Sequence, residues 1–343
     1  MRKLNAFLTY TDYELASYYS EAGLAALRQH VNVVRNDTGR VLQGRELADA
    51  AKGCEIILAH RSSPGLAETF EHAPDLVAFV RAAVDISTVD VQSASARGIL
   101  VTRATAGFGT AVAEMAVAMM FDLARGISRA RTAYAQGNEP ALPKALQVAG
   151  STLGVVGYGV IGKRLAEMGV ALGMKVLVCD PYVDAAQIVG AAATFGQLLA
   201  DSDFVVCLAA SVPETENMFN AAAFAQMKTG ASFLNLSRGQ LVDEDALKDC
   251  LDSGRLRGAG LDVGRAPDQK PSPCFVGRPD VVVMPHVGGM TAQARERQTM
   301  DTVAQIVALT EGRVPANAVN LESATRLSRL GINAGGARTG AVS

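Results

Sequence analysis

The chain has 343 residues, which at ~150 residues per domain points to two domains. Hydrophobic residues make up 49% and charged residues 19%, a balance that excludes a disordered chain. The formal net charge is −2, from 32 basic and 34 acidic residues with no block of like charges, which argues against a nucleic-acid groove or a polybasic membrane patch.

Residues 4–9, 31–34, 55–59, 76–80 and 99–102 read as short strands. Helical stretches such as 44–52 and 89–97 lie between them, and this alternation predicts a parallel sheet with helices on its faces. Residues 111–125 form a long helical pattern without Gly or Pro, and 137–143, with two prolines and a glycine, reads as a loop. A second series follows, with apolar runs at 153–157, 175–179, 204–209, 231–236, 259–263 and 281–284. Helical patterns at 160–172, 196–200, 221–227 and 244–253 separate most of them, which predicts a doubly wound sheet. Four prolines across 267–279 predict a structured loop, 292–310 a last long helix, and the Ser-, Ala- and Gly-rich end from Leu321 a short helix and a frayed tail.

The five cysteines are odd in number and contain no C-x-x-C pair, which argues against a disulfide framework and a thiolate zinc site. A reducing cytoplasm is the expected compartment, and no metal is expected. The N-terminus lacks the apolar stretch of a signal peptide. The apolar run near Ala111 is broken by Glu114 and Asp122, well short of the ~20 residues of a membrane span.

The sharpest motif is Gly157-Tyr-Gly159-Val-Ile-Gly162, which follows a strand and opens a helix. Gly157 permits a tight turn, Gly159 lets a pyrophosphate approach the backbone, and Gly162 lets helix and strand pack closely. A second strand ends at Asp180, 18 residues after Gly162. Its carboxylate suits the adenosine-ribose hydroxyls and would repel a 2′-phosphate, so NAD is the expected cofactor.

With further motifs in order, the chain resembles the D-isomer-specific 2-hydroxyacid dehydrogenases. The resemblance rests on Val89-Asp-Val-Gln-Ser-Ala-Ser-Ala-Arg-Gly98, Ala111-Val-Ala-Glu114, the glycine fingerprint, Asn235-Leu-Ser-Arg238-Gly239, Gly258-Ala-Gly-Leu-Asp262 and Pro285-His286-Val-Gly-Gly289. It implies an α/β architecture in which a Rossmann doubly wound parallel-sheet domain, 105–291, is inserted into a smaller flavodoxin-like α/β substrate domain, 1–104 and 292–343. It also implies catalysis in a cleft between the two, and a homodimer formed through the inserted domain. The implied activity is hydride transfer between NAD and a D-2-hydroxy acid or its 2-oxo acid, glyoxylate, hydroxypyruvate and phosphoglycerate being the nearest substrate types.

The resemblance places Arg238 on the substrate carboxylate and carbonyl, a task that suits its planar fork. It places His286, one of only four histidines, as acid and base. The family's partner glutamate falls five residues after the aspartate of the Leu-Asp-Val strand, which here is Pro267. We therefore expect neighbouring Asp268 to take that role through a shifted loop, with Gln269 as an uncharged alternative. Val160 and Ile161 are expected to offer N–H groups to the pyrophosphate, and Asp262 to meet the nicotinamide carboxamide. Ala209, Leu236, Ser237, Gly288 and Gly289 are expected beside the cofactor, and Thr110 either beside it or as a helix cap. The family's Gly-x-Gly substrate loop aligns with residues 82–86, which contain no glycine. Val84 and Asp85 would line that loop, with Arg61, Ser62 and Ser63 compensating from the neighbouring one. The altered acid loop and the missing glycines leave an alternative of another class, a non-catalytic NAD-binding regulator of the co-repressor type.

Overall fold

The structure is a computed structural model that describes residues 2–105, 107–140 and 145–332. The chain divides into two compact units, one spanning Gly109–Thr291 and the other built from the chain on either side of it. Residues 141–143 of the expected proline loop, and the expected tail from 333, lie outside the described residues.

The first unit holds five strands: β1 (Asn5–Leu8), β2 (Asn32–Arg35), β3 (Ile56–Ala59), β4 (Ala78–Arg81) and β5 (Leu100–Arg103). They pair in the order β2-β1-β3-β4-β5, all parallel. This is the flavodoxin-like order. Alternation along each strand splits the apolar residues between two faces. Leu8, Ile56, Leu58 and Val80 pack against Leu27 and against Val303, Ile306 and Leu309 of the helix Ala292–Thr310. Phe7, Ile57 and Phe79 pack on the other side with Leu47 and Phe70. Both faces are buried, which is why the strands read as apolar runs and not as alternating ones.

The helices Asp12–Tyr18 and Glu21–His30 were not predicted. The first carries a capping box between Thr11 and Glu14, the local signal for its start. The second meets the last long helix at Gly23, where a Cβ would lie 1.9 Å from the Thr299 methyl. After that helix the chain closes the free edge of β5. Ala318 bridges Thr102, and Asn320 accepts from Val101 N and donates to Ile99 O. An edge covered in this way offers no ladder to a foreign strand.

The second unit has seven strands: β6 (Thr152–Val156), β7 (Lys175–Cys179), β8 (Ala191–Ala192), β9 (Phe204–Cys207), β10 (Ser232–Asn235), β11 (Gly258–Leu261) and β12 (Val281–Val283). Their order is β12-β11-β10-β9-β6-β7-β8, the Rossmann arrangement with one added strand. The two-residue edge strand β8 was missed, being too short for a periodic signal. The chain order reverses between β6 and β9, and the carboxyl ends of those strands flank the crevice where such folds bind ligands. Phe219, Phe224 and Phe233 anchor the core, the last two edge to face with ring centroids 5.2 Å apart. Gly126, at φ +65°, ends the helix Gly109–Arg125 and starts Ile127–Ala135 in a new direction. The 267–279 segment holds only short 3-10 turns, as its prolines predict.

Candidate active site

The glycine loop sits at the reversal of strand order. Gly157 has φ +96°, and a Cβ on it would lie 2.5 Å from Ala209 N. A Cβ on Gly162 would lie 2.0 Å from Gly157 O, so helix and loop meet backbone to backbone there. Gly159 is different, since a Cβ on it would meet nothing within 4 Å. Its neighbours therefore do not require glycine, whereas a group lying against the loop would. The helix Val160–Ala171 that follows has no side-chain cap, which leaves the first-turn N–H groups of Val160 and Ile161 for an anion.

Asp180 does a second job in this loop. Its carboxylate accepts from Tyr158 N at 2.7 Å and from Tyr182 N at 2.9 Å, pinning the loop to the end of β7. Each oxygen keeps a further lone pair for a ribose hydroxyl. Ala209 and Ser237 are tied together across the crevice, where the Ser237 hydroxyl donates to Ala209 O at 2.5 Å. Leu236 between β10 and Ser237 is buried. Thr110 lies in the first turn of the helix Gly109–Arg125.

The Arg238 turn is built by Asn235. Its side chain accepts from Ser237 N at 3.1 Å and donates to Arg238 O at 2.9 Å. Arg238 is half-buried, its guanidinium donates to Ser237 O, and among the described residues it forms no ion pair. A cation so placed is suited to an external carboxylate. Gly239 must be glycine, since a Cβ there would lie 2.2 Å from the carbonyl of Gly264. This contact brings the Arg238 turn against the loop that carries Asp268.

That loop reaches His286. The ring Nδ1 lies 3.0 Å from the main-chain carbonyl of Asp268. The role expected of Asp268 was a carboxylate contact; the contact seen here is made by its main-chain oxygen. Asp268 has φ +59° and Gln269 φ +54°, a double left-handed turn that aims the carbonyl at the ring. The Asp268 carboxylate lies 3.9 Å from Lys270 Nζ. A carbonyl oxygen only accepts, so Nδ1 carries the proton in this contact and Nε2 is the nitrogen that can exchange one.

His286 itself has φ +60°. Asp262, only 3% exposed, explains how that conformation is held. Its main-chain oxygen accepts from His286 N at 2.9 Å. Its carboxylate accepts from Val287 N at 2.9 Å and from Gly288 N at 3.0 Å. A Cβ on Gly288 would lie 2.7 Å from that carboxylate. Asp262 therefore shapes the histidine turn through Val287 and Gly288. Burial pushes the Asp262 carboxyl above its ordinary range, against the pull of the Val287 and Gly288 N–H groups and the His286 charge.

In the first unit, Arg61 and Ser62 follow β3 while Val84 and Asp85 follow β4, so both loops emerge at the carboxyl end of the parallel sheet. The Asp85 carboxylate accepts from Ser87 N at 2.8 Å and is folded onto its own loop. No residue of 82–86 has a positive φ, so the missing glycines are not required by the backbone here. His60 is buried and lies 3.0 Å from Glu14. Ser62 Oγ donates to the same Glu14 oxygen at 2.5 Å. Glu14 is 48 residues away from Ser62, and only the fold reveals it.

Residues 117–288 match the sequence model of the D-isomer specific 2-hydroxyacid dehydrogenase NAD-binding domain, half of the chain. The chain belongs to the D-isomer specific 2-hydroxyacid dehydrogenases. The matched segment is that family's NAD-binding domain, and NAD is the cofactor of the second unit. A D-3-phosphoglycerate dehydrogenase of Mycobacterium leprae is 34% identical over 315 residues, covering 90% of this chain and 58% of the relative. A hydroxypyruvate reductase of Thermotoga maritima is 29% identical over 272 residues, covering 78% of this chain and 89% of the relative. A Thermus thermophilus protein of known crystal structure superposes with a TM-score of 0.81 at 29% identity, covering 92% of this chain and 100% of that one. The chain spans 48–58% of the length of the first phosphoglycerate dehydrogenases it matches. Among the described residues there is no cluster that could hold a metal ion, and no helix long and apolar enough to cross a membrane.

Proposed function

We propose that this protein is an NAD-dependent D-2-hydroxyacid dehydrogenase interconverting a small 2-oxo acid and its D-2-hydroxy acid. The observation that carries the proposal is the fixed imidazole of His286, with Nδ1 held by the Asp268 carbonyl at 3.0 Å and Nε2 left to exchange a proton. Bound NAD supplies the hydride acceptor. In the oxidative direction Nε2 takes the hydroxyl proton as the C2 hydrogen departs as hydride, and in reduction it returns that proton to the carbonyl oxygen. Arg238 holds the carboxylate and polarises the C2 oxygen. Asp268 acts as a positioning residue through its main chain, which fixes the tautomer that makes Nε2 the proton carrier.

On the first unit, Arg61, Ser62, Val84 and Asp85 are the proposed substrate residues. The folded-back carboxylate of Asp85 supports this, because it lowers the repulsion an anion would meet. We further propose a homodimer formed through the second unit. The helix Ile127–Ala135 supports this reading, since none of its residues is buried and Tyr134 is 75% exposed. Five free cysteines suit a reducing cytoplasm. The test is His286→Ala. NAD affinity should stay within about threefold while kcat falls about 10³-fold, the scale of general acid–base catalysis. A wild-type rate in that variant would refute the mechanism.

A further inference from the structure

Arg81 is the last residue of β4, directly paired with Ala59 at the end of β3. It is 2% exposed. Burial pulls its guanidinium below the ordinary range, and the charge of Asp85 on the loop after β4 offsets part of that. Its fork places all five N–H donors on the two loops at the carboxyl end of the sheet. One terminal nitrogen donates to His60 O at 2.8 Å and to Ser63 O at 2.7 Å. The other donates to Arg61 O at 2.7 Å and to the Thr88 hydroxyl at 2.9 Å. Nε donates to Asp85 O at 3.3 Å.

We propose that Arg81 is a positioning residue that fixes the loop after β3 and the loop after β4 as one anion-receptive surface, without touching the substrate. This rests on the dehydrogenase reading, which puts the substrate against Arg61, Ser62, Val84 and Asp85. The chemistry is that of a carbonyl collector. A loop that receives an anion must not turn carbonyl oxygens toward it. Arg81 draws four of them inward, from His60, Arg61, Ser63 and Asp85. With every donor spent, the guanidinium has none left for a ligand. Its positive charge nevertheless stays beneath both loops, where it favours an anion above them. The loop after β3 is also held from the side, because His60 N donates to Thr9 Oγ1 at 2.9 Å and Glu14 gathers His60 and Ser62. The Arg61 side chain is steered as well, its guanidinium carbon lying 5.7 Å from the Tyr18 ring centroid.

Lysine has three donors on one nitrogen and cannot span both loops. The experiment compares the full-length wild type, Arg81→Lys and Thr88→Val by steady-state kinetics with glyoxylate, pyruvate and hydroxypyruvate, and by amide hydrogen exchange. Arg81→Lys should raise KM for the 2-oxo acid about tenfold, with kcat and NAD affinity within about threefold, as for lost ground-state positioning. Exchange at residues 60–63 and 85–88 should quicken about tenfold while β3 and β4 keep their protection. Thr88→Val removes only one of the five acceptors, at an exposed residue, and should show the same pattern at about two- to threefold. It decides the matter if Arg81→Lys does not fold. Wild-type KM and exchange in both variants would overturn the role of Arg81. Absence of turnover by the wild type with every acid would instead overturn the dehydrogenase reading, and the substrate part of this proposal with it.

Discussion

Replacing Asp262 with alanine separates shaping the histidine turn from contacting the cofactor. The carboxylate accepts from Val287 N at 2.9 Å and Gly288 N at 3.0 Å, both charge-assisted bonds. At ~1.5–3 kcal/mol each, their loss should destabilise the second unit by about 3–6 kcal/mol, less if water reaches the freed N–H groups. His286 at φ +60° offsets part of this, since a left-handed non-glycine residue costs ~1–2 kcal/mol and that strain is released when its restraints go. The imidazole then leaves its place opposite the Asp268 carbonyl. A displacement of about 1 Å is worth about 10²-fold in rate, so kcat should fall by that order. Asp262→Asn keeps one acceptor oxygen and should fall between wild type and alanine in both measures. The assays are urea unfolding followed by fluorescence, and kcat against KM for NAD. An Asp262→Ala protein within about 1 kcal/mol of wild type, or one losing only NAD affinity, would refute the turn-shaping role.

Glu14 should govern the acid stability of the first unit. Burial alone would raise its carboxyl, but hydrogen bonds from His60, Ser62 and Thr11 N outweigh it and hold the group at about 2 against an ordinary 4.5. A lowered acid gives stability that is full above its unfolded value and lost as pH falls through the folded one. Urea midpoints should therefore drop between about pH 4.5 and about pH 2 in wild type, and Glu14→Gln should flatten that slope. An unchanged slope would contradict the assignment. Asp262 has the opposite sign, because its raised carboxyl takes a proton more readily when folded and favours the fold as pH falls. Gly159→Ala tests the cofactor loop. A Cβ there meets nothing within 4 Å of protein, so stability should stay within about 0.5 kcal/mol while NAD affinity, read by NADH fluorescence, weakens at least about tenfold. Unchanged affinity would place the pyrophosphate elsewhere.

The fold was legible wherever burial on both faces made strands continuous and apolar, and the helix Ala292–Thr310 was read to the residue from its pattern. The glycine loop was legible because each glycine answers a separate steric need. What escaped was of two kinds. Main-chain contacts carry no side-chain signature, so the contact of the Asp268 carbonyl with His286 could not be read from the sequence. Contacts distant in sequence carry none either, and Glu14 with His60 and Arg81 with its carbonyls became visible only once the sheet was assembled. A charged residue closing the apolar strand Ala78–Arg81 was the one available hint of the latter.

The proposed chemistry of His286 and Arg238 requires that this chain turn over a D-2-hydroxy acid. The most direct test follows NADH oxidation with glyoxylate, pyruvate and hydroxypyruvate and determines the configuration of the chiral products on a D-specific column. Turnover of at least one acid, D configuration in any chiral product, and loss of turnover in His286→Ala are expected. Clear NADH binding with no turnover of any acid, or an L product, would contradict it.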